Sequence, residues 1–487
     1  MFPSGVKTVA LLLGLLMTSG MLRVAAAHDG DPLNAFGSQG RAQFNFTTSP
    51  VLPVNYAAYN ESLYSPVALQ ADGKVVLAAT AKNLSNNDFG ILRLNADGSR
   101  DTSFGPTQNG QTIVPFDRVG GNEDEPNGIA LDEHGNILVS GSAEGNPSDG
   151  GFDCAIVRLT PDGLLDSTFS TDGKATIGFD LGPAGQRHDY CMRVAVQRDG
   201  KILVVGFAQN RVTPEPGSPQ PHKVAIARLT SSGARDTSFN GNGIVILDFG
   251  AAYPFCFGTG IVQQNDGGIV IVGSAVDANY DHSFAMARLH ADGTLDSAFG
   301  SNGMRVFRPT INGYDFGGLE DVVSLSDGSF VVNGYVAPAG SSNYDYYFAR
   351  VRSDGSLDPA FGSNGSAVVP IDLGGAYEDI SFAMALDSHG RIVANGVSTL
   401  DSSIAMALVR LTPDGQLDAS FGNGGVQVTS STPPNDIMFG EVGGGVAIGA
   451  GDTIVAASLV KVDGSGDLEV GVVELVGDTI FSSGFAL

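Results

Sequence analysis

Counting eleven residues back from a glycine that recurs along the chain lands on Asp124, Asp189, Cys256 and Asp379. Glu61, Glu320, Asp321 and Glu441 fall close to the same place in other stretches. Carboxylates that return at one structural position can hold a hard cation such as Ca²⁺, which wants several oxygen ligands. They can receive a basic ligand, or cap loops by accepting backbone N–H groups. The densest group, "NEDE" (122–125), lacks the D-x-D-x-D-G spacing of a calcium loop. A second set is aromatic. "SNNDF" (85–89), "NYDHSF" (279–284) and "NYDYYF" (343–348) put Tyr280, His282, Tyr344, Tyr346 and Tyr347 beside Asn and Asp. Flat apolar rings next to polar groups suit sugars or peptides, and packing at strand ends is the plainer alternative.

Other chemistry is sparse. There is no G-x-S-x-G elbow and no H-E-x-x-H pair. The seven histidines are scattered, and only His188 and His282 are expected on the variable loops. Three cysteines, Cys154, Cys191 and Cys256, offer no zinc spacing. Cys191 and Cys256 enter consecutive repeats at similar depth, so a disulfide between them is expected, with Cys154–Cys191 as the alternative. The candidate ligand-binding residues are therefore Asp124, Asp189, Glu320, Asp321, Asp379, Glu441, Tyr280, His282 and Tyr344.

The elements that must position these residues repeat. A hairpin glycine falls at 73, 135, 200, 267, 328, 390 and 451, with spacings of 61 to 67 residues. A phenylalanine in the phrase "LDxxFGxxG" and its variants falls at 36, 104, 169, 239, 299, 361 and 421. Each unit carries four strand-like runs, as in "AVQRDG" (195–200), "KILVVG" (201–206), "AIARLT" (225–230) and "GIVILDF" (243–249). Asp-Gly between the first two signals a tight two-residue hairpin with both central residues at positive φ. Short antiparallel strands in fours, repeated seven times, predict an all-β, seven-bladed β-propeller. The segment 29–46 supplies a fourth strand, "RAQFNF", that the last unit lacks. Pairing the two ends would close the ring and remove two exposed sheet edges.

The pattern "QxDGK…VxG…ARLxxDGxLDxxFGxxG" resembles the delta-60 repeat family of bacterial secreted proteins over roughly residues 29–476. The resemblance implies a β-propeller and an extracytoplasmic address, and it implies no activity.

Within each unit Arg (93, 158, 228, 288, 350, 410) precedes Asp (101, 166, 236, 296, 358, 418) by eight residues. In the seventh copy these become Glu474 and Leu33. A joint loss is expected of an ion pair and not of independent metal ligands, so the phrase reads as structural. Sites should then lie where the copies differ.

Residues 1–27 read as a signal peptide. Lys7 is followed by an apolar run (8–17) and a small-residue "AAA" (25–27). The mature propeller would then span 28–487, secreted, periplasmic or on the cell surface, with no membrane insertion. A net charge of −26 argues against nucleic acid. The expected function is a non-enzymatic, monomeric binding scaffold for a glycan, peptide or surface protein, without an obligatory cofactor. A hydrolase or lyase at the channel mouth, assisted by Ca²⁺, is the alternative.

Overall fold

The computed structural model describes residues 28–44, 66–82, 87–116, 123–145, 151–179, 181, 188–209, 221–308, 311, 313–338, 341, 343–371, 379–400, 403–429, 444–461 and 468–477. The signal-like segment, Glu61, Glu441 and the Pro-rich stretch 210–220 lie outside them.

Among the described residues the strands form five four-stranded sheets and one eight-stranded sheet made of two antiparallel fours joined by a single parallel pair; these seven antiparallel fours are numbered I to VII here. Sheet I runs from Val67–Leu69 to Gln111–Val114, sheet II from Asp124–Leu131 to Lys174–Ile177, and sheet III from Asp189–Val196 to Ile244–Leu247. Sheet IV runs from Phe255–Gln263 to Met304–Phe307, sheet V from Tyr314–Ser324 to Ser366–Val369, and sheet VI from Ile380–Leu386 to Val426–Thr429. Sheet VII is built from Val446–Ile448, Ile454–Lys461 and Leu468–Leu475, and its outer position is filled by Arg41–Phe44. Arg41 lies opposite Val473 and Phe44 opposite Val470. Among the described residues there is no α-helix, only one 3₁₀ turn at Ala450–Asp452.

The second and third strands of each sheet read as unbroken apolar runs because both of their faces are covered. In the second strand of sheet II, Ile137 and Val139 pack with sheet I, whereas Leu138 packs with sheet III. Successive side chains point to opposite faces, so one strand serves two inter-sheet cores.

The hairpin glycines all have positive φ, from Gly451 at 68° to Gly267 and Gly328 at 86°. The preceding residue, Asp at 72, 199, 266 and 327, His at 134 and 389 and Ala at 450, does not share that conformation in any copy. Gly200 N–H donates to Gln197 O at 2.9 Å, and Gln197 N–H to Lys201 O at 2.7 Å. The connection is therefore a three-residue loop, Arg198–Gly200, ending in a left-handed glycine, one residue longer than the two-residue hairpin expected from Asp-Gly.

The repeated phrase builds the joints. Arg93, Arg158, Arg228 and Arg410 bond their Asp partners through Nε at 2.7–2.8 Å, and Arg350 does so at 2.6 Å. Arg288 pairs with Asp296 through Nη1. Each Asp also caps its one-turn segment, as Asp101 does for Ser103 N–H at 3.0 Å. Burial works to raise the Asp101 carboxyl. The Ser103 hydrogen bonds with Lys74 and Arg93 outweigh it and hold the group well below the usual carboxylate range. Except at Arg288, which bonds Gln264 and Asp266 instead, the guanidinium then lies over the phrase phenylalanine, 4.5 Å from the Phe239 centroid for Arg228. It also reaches a carbonyl of the next sheet, as Arg350 does to Pro413 O at 3.2 Å.

All seven phenylalanines are fully buried. Each rests on a glycine of the following sheet. A Cβ on Gly163 would sit 2.5 Å from Phe104, and one on Gly98 3.0 Å from Phe36. Beside each contact one backbone hydrogen bond recurs: Gly105 to Asp162 O, Ser170 to Ser232 O, Asn240 to Asp292 O, Gly300 to Asp354 O and Gly362 to Asp414 O. The series continues with Gly422 to Asp29 O at 2.8 Å and Gly37 to Asp97 O at 2.7 Å.

Candidate functional site

Opposite the hairpin turns lies a rim where first strands begin, second strands end and third strands begin. In sheet III, Asp189 faces Ala208 there and Gln209 faces His222. The acidic series expected at this rim is present but occupied. Asp124 accepts the Phe116 N–H at 2.8 Å, Asp189 that of Phe179 at 2.8 Å, and Asp379 that of Ile371 at 2.9 Å. Each donor follows the fourth strand of the preceding sheet by two residues. All three carboxylates are buried, so they serve as loop caps between sheets rather than as an open ligand ring. Cys256 stands in for a fourth cap, its thiol donating to Tyr253 O at 3.3 Å.

Asp321 does different work. Its Oδ1 accepts the Val322 N–H at 2.9 Å and its Oδ2 the Met384 N–H at 3.1 Å, with Arg193 Nη2 3.7 Å away. Arg193 donates from Nη2 to Phe382 O at 2.9 Å and from Nε to Thr259 O at 3.2 Å. One guanidinium thus links the first strands of sheets III, IV, V and VI. Each of those strands carries a bulge at the contact, between Cys191 and Arg193, Gly258 and Gly260, Leu319 and Asp321, and Ser381 and Ala383. Glu320 sits in the sheet V bulge and exerts its charge on Tyr335.

The disulfide joins Cys154 to Cys191, whose Cα atoms are 4.9 Å apart, and not Cys191 to Cys256. The reason is which face each side chain takes. Cys154 and Cys191 both point into the core between sheets II and III, while Cys256 points into the next core with Ala275 and Val205. Cys256 stays reduced, and burial pushes its thiol up to about 12.

The expected aromatic residues belong to a longer row. Phe152 stacks on Tyr190 (centroids 5.4 Å), Tyr190 on Phe207 (4.7 Å), and Phe207 meets Phe257 and His222 edge-on (5.0 and 5.1 Å). His222 leads to Phe255 (6.2 Å), and Phe255 lies parallel to Tyr280 (5.6 Å, 4°). Here sheets III and IV are joined by a single parallel pairing, His222 with Phe255. Farther along, His282 packs on Phe316 (4.9 Å), and Phe316 and Tyr335 both pack on Tyr344 (6.0 and 5.2 Å). Tyr280, His282 and Tyr344 were legible in the loops. Tyr190, Phe207, Phe255, Phe316 and Tyr335 were not singled out. A column comparison flags two of them: seven residues after the hairpin glycine, Phe207 and Tyr335 replace Thr80, Ser142, Ser274, Val397 and Ser458.

Tyr346 and Tyr347, offered with Tyr280 and Tyr344 as rings suited to sugars or peptides, are buried. His282 Nδ1 lies 3.1 Å from the Tyr335 hydroxyl. Burial lowers the His282 pKa against the pull of Asp281, so the ring is neutral at neutral pH. His222 is lowered to about 4 by burial and by nearby His188.

On the hairpin face, Asp387, His389 and Asp452 bring three ligand-type atoms within 4.8 Å of one another. Asp387 caps the His389 N–H and Arg391 N–H (both 2.9 Å), and Asp452 accepts from Ser388 Oγ (2.7 Å) and pairs with His389 Nδ1 (2.9 Å). That arrangement is a hydrogen-bonded joint between sheets VI and VII.

Four-stranded antiparallel sheets joined by repeated side-chain joints are the architecture of β-propeller repeat proteins. Two family models agree. One, described as "Domain of unknown function (DUF5122) beta-propeller", matches residues 70–104, 135–169, 264–299, 325–361 and 389–421. The other, "Beta-propeller repeat", matches 116–147. No curated protein matches the chain. Among solved structures, the polysaccharide lyase Uly1 is similar over 93% of this chain and 98% of its own, at 10% identity and a TM-score of 0.50. The β-propeller domain of the trilobed protease from Pyrococcus furiosus aligns over 88% and 100% (11% identity, TM-score 0.40). A Trypanosoma rangeli sialidase aligns over 75% and 58% (12% identity, TM-score 0.40). These likenesses concern the fold.

Proposed function

We propose that the chain is an exported, seven-bladed β-propeller, closed by its N-terminal strand, that acts as a binding scaffold through its aromatic rim. Seven like joints, two of them made by residues 29–37, support the closed ring. The Cys154–Cys191 disulfide fits an oxidising compartment outside the cytoplasm. The observation that carries the binding reading is Tyr280, the only exposed tyrosine or phenylalanine among the described residues, set in a row of rings that crosses several sheets. Large flat rings at the variable end of a rigid scaffold are a suitable recognition surface. The caps at Asp124, Asp189 and Asp379 leave calcium out of the proposal. The test is a binding screen of the mature chain from His28 by calorimetry against glycans and peptides. A ligand lost on Phe255→Ala and kept on substitution at the hairpin face supports the rim. Binding indifferent to the rim refutes it.

A second reading is acid–base catalysis on a polysaccharide, as a hydrolase or lyase. The observation favouring it is the neutral His282 within hydrogen-bonding reach of the Tyr335 hydroxyl. It requires that polysaccharide cleavage be measurable and be abolished in His282→Ala.

A further inference from the structure

We propose that the aromatic rim binds an uncharged glycan chain, with the face of Tyr280 as its stacking platform. This rests on the rim being the binding surface and adds the ligand class. Tyr280 is 55% exposed, although most large rings of this protein are covered. Its backbone has φ 68°, in the left-handed region that glycine accepts and tyrosine resists. The turn itself is ordinary: Tyr280 N–H donates to Asp277 O at 3.0 Å, and Asp277 Oδ1 caps Asn279 N–H at 2.8 Å. Glycine would serve this turn better, so the tyrosine is there for its ring. That ring lies parallel to Phe255, which stiffens it, while more than half of the residue stays open to solvent. An open, flat, supported ring suits the C–H face of a sugar. A peptide side chain more often needs a pocket.

The charges around the platform indicate a neutral ligand. Lys223 is paired with Asp248, and Arg308 lies 3.4 Å from Asp277 and 3.2 Å from Asp281. His222 and His282 are neutral through burial. Among the described residues an anionic polymer therefore finds no spare cation on this stretch, and it meets a chain of net charge −26. A basic peptide finds Asp248, Asp277 and Asp281 already paired.

The experiment uses the mature chain, with calorimetric titration by neutral oligosaccharides (cello-, xylo- and manno-oligomers), by oligogalacturonate and by a mixed peptide library. The expected result is binding of a neutral oligomer that falls about tenfold or more in Tyr280→Gly and persists in Tyr280→Phe. The melting temperature of Tyr280→Gly should hold or rise, because glycine suits the turn. A merely structural tyrosine would lower it. Full affinity in Tyr280→Gly overturns the proposal. So does a rim that takes only oligogalacturonate or only peptides, an outcome that leaves the rim as the binding surface. If none of the probes binds at the rim, both statements fall.

Discussion

Glu474 occupies the position held by arginine in the other six sheets, and it has lost the aspartate partner as well. Its Oε2 is buried with no hydrogen-bond partner among the described residues. Burial raises the carboxyl from 4.5 to about 7. The folded protein therefore holds a proton that the unfolded chain releases earlier. The associated stability is complete below 4.5 and is lost as pH rises through about 7. At about 1.4 kcal/mol for each step of one in pKa, the gap sets a ceiling of about 3 kcal/mol. The side chain is only partly covered, and solvent screening brings the figure to about 1–2 kcal/mol. Glu474→Gln keeps the shape and removes the titration. Denaturant unfolding of both proteins from about pH 4 to about pH 8 should show the variant gaining about 1–2 kcal/mol over wild type across that range. A difference that does not change with pH, or a variant less stable than wild type at the alkaline end, would refute the reasoning.

Arg228→Ala removes an ion pair, a ring contact and a hydrogen bond to the Ala291 carbonyl, and leaves Asp236 buried. A loss of about 3 kcal/mol is expected in denaturant unfolding, with little recovery in Arg228→Lys. His222 gives the opposite slope to Glu474. Its folded pKa of about 4 lies below the ordinary 6.5, so stability present above 6.5 is lost as pH falls towards 4. His222→Gln should flatten that loss, which is about 2–3 kcal/mol, in an acid titration of stability. Reducing Cys154–Cys191, which closes a 37-residue span, should cost about 3–4 kcal/mol, read as a fall in thermal midpoint that Cys191→Ser reproduces without reductant.

The architecture was legible because each repeat states its own joint. Arg158, Asp166 and Phe169 recur at fixed offsets, and all three make the contacts their types suggest. The turn was misjudged at Asp199-Gly200 because the dipeptide alone does not give the loop length, which the Gln197–Lys201 hydrogen bonds set. The acids were found at the right depth, yet the use of Asp189 depends on Phe179, which belongs to the neighbouring sheet. The disulfide turned on facing direction. Cys191 and Cys256 have like positions, and only the strand geometry shows that Cys154 is what Cys191 meets. The aromatic row was the least legible part. It is assembled from strand ends of several sheets, as when Phe207 meets Phe257, and no repeat contains it whole.

The pairing of Arg41 with Val473 has a consequence for biogenesis. The first strand made must wait for the last one, so for most of synthesis Arg41–Phe44 has no partner and sheets I and VI each lack a neighbour. Contacts this distant along the chain form slowly. A chain of this design needs shelter from aggregation until its tail is made, and a nascent chain stalled before residue 468 would leave Arg41–Phe44 without its pairing strand.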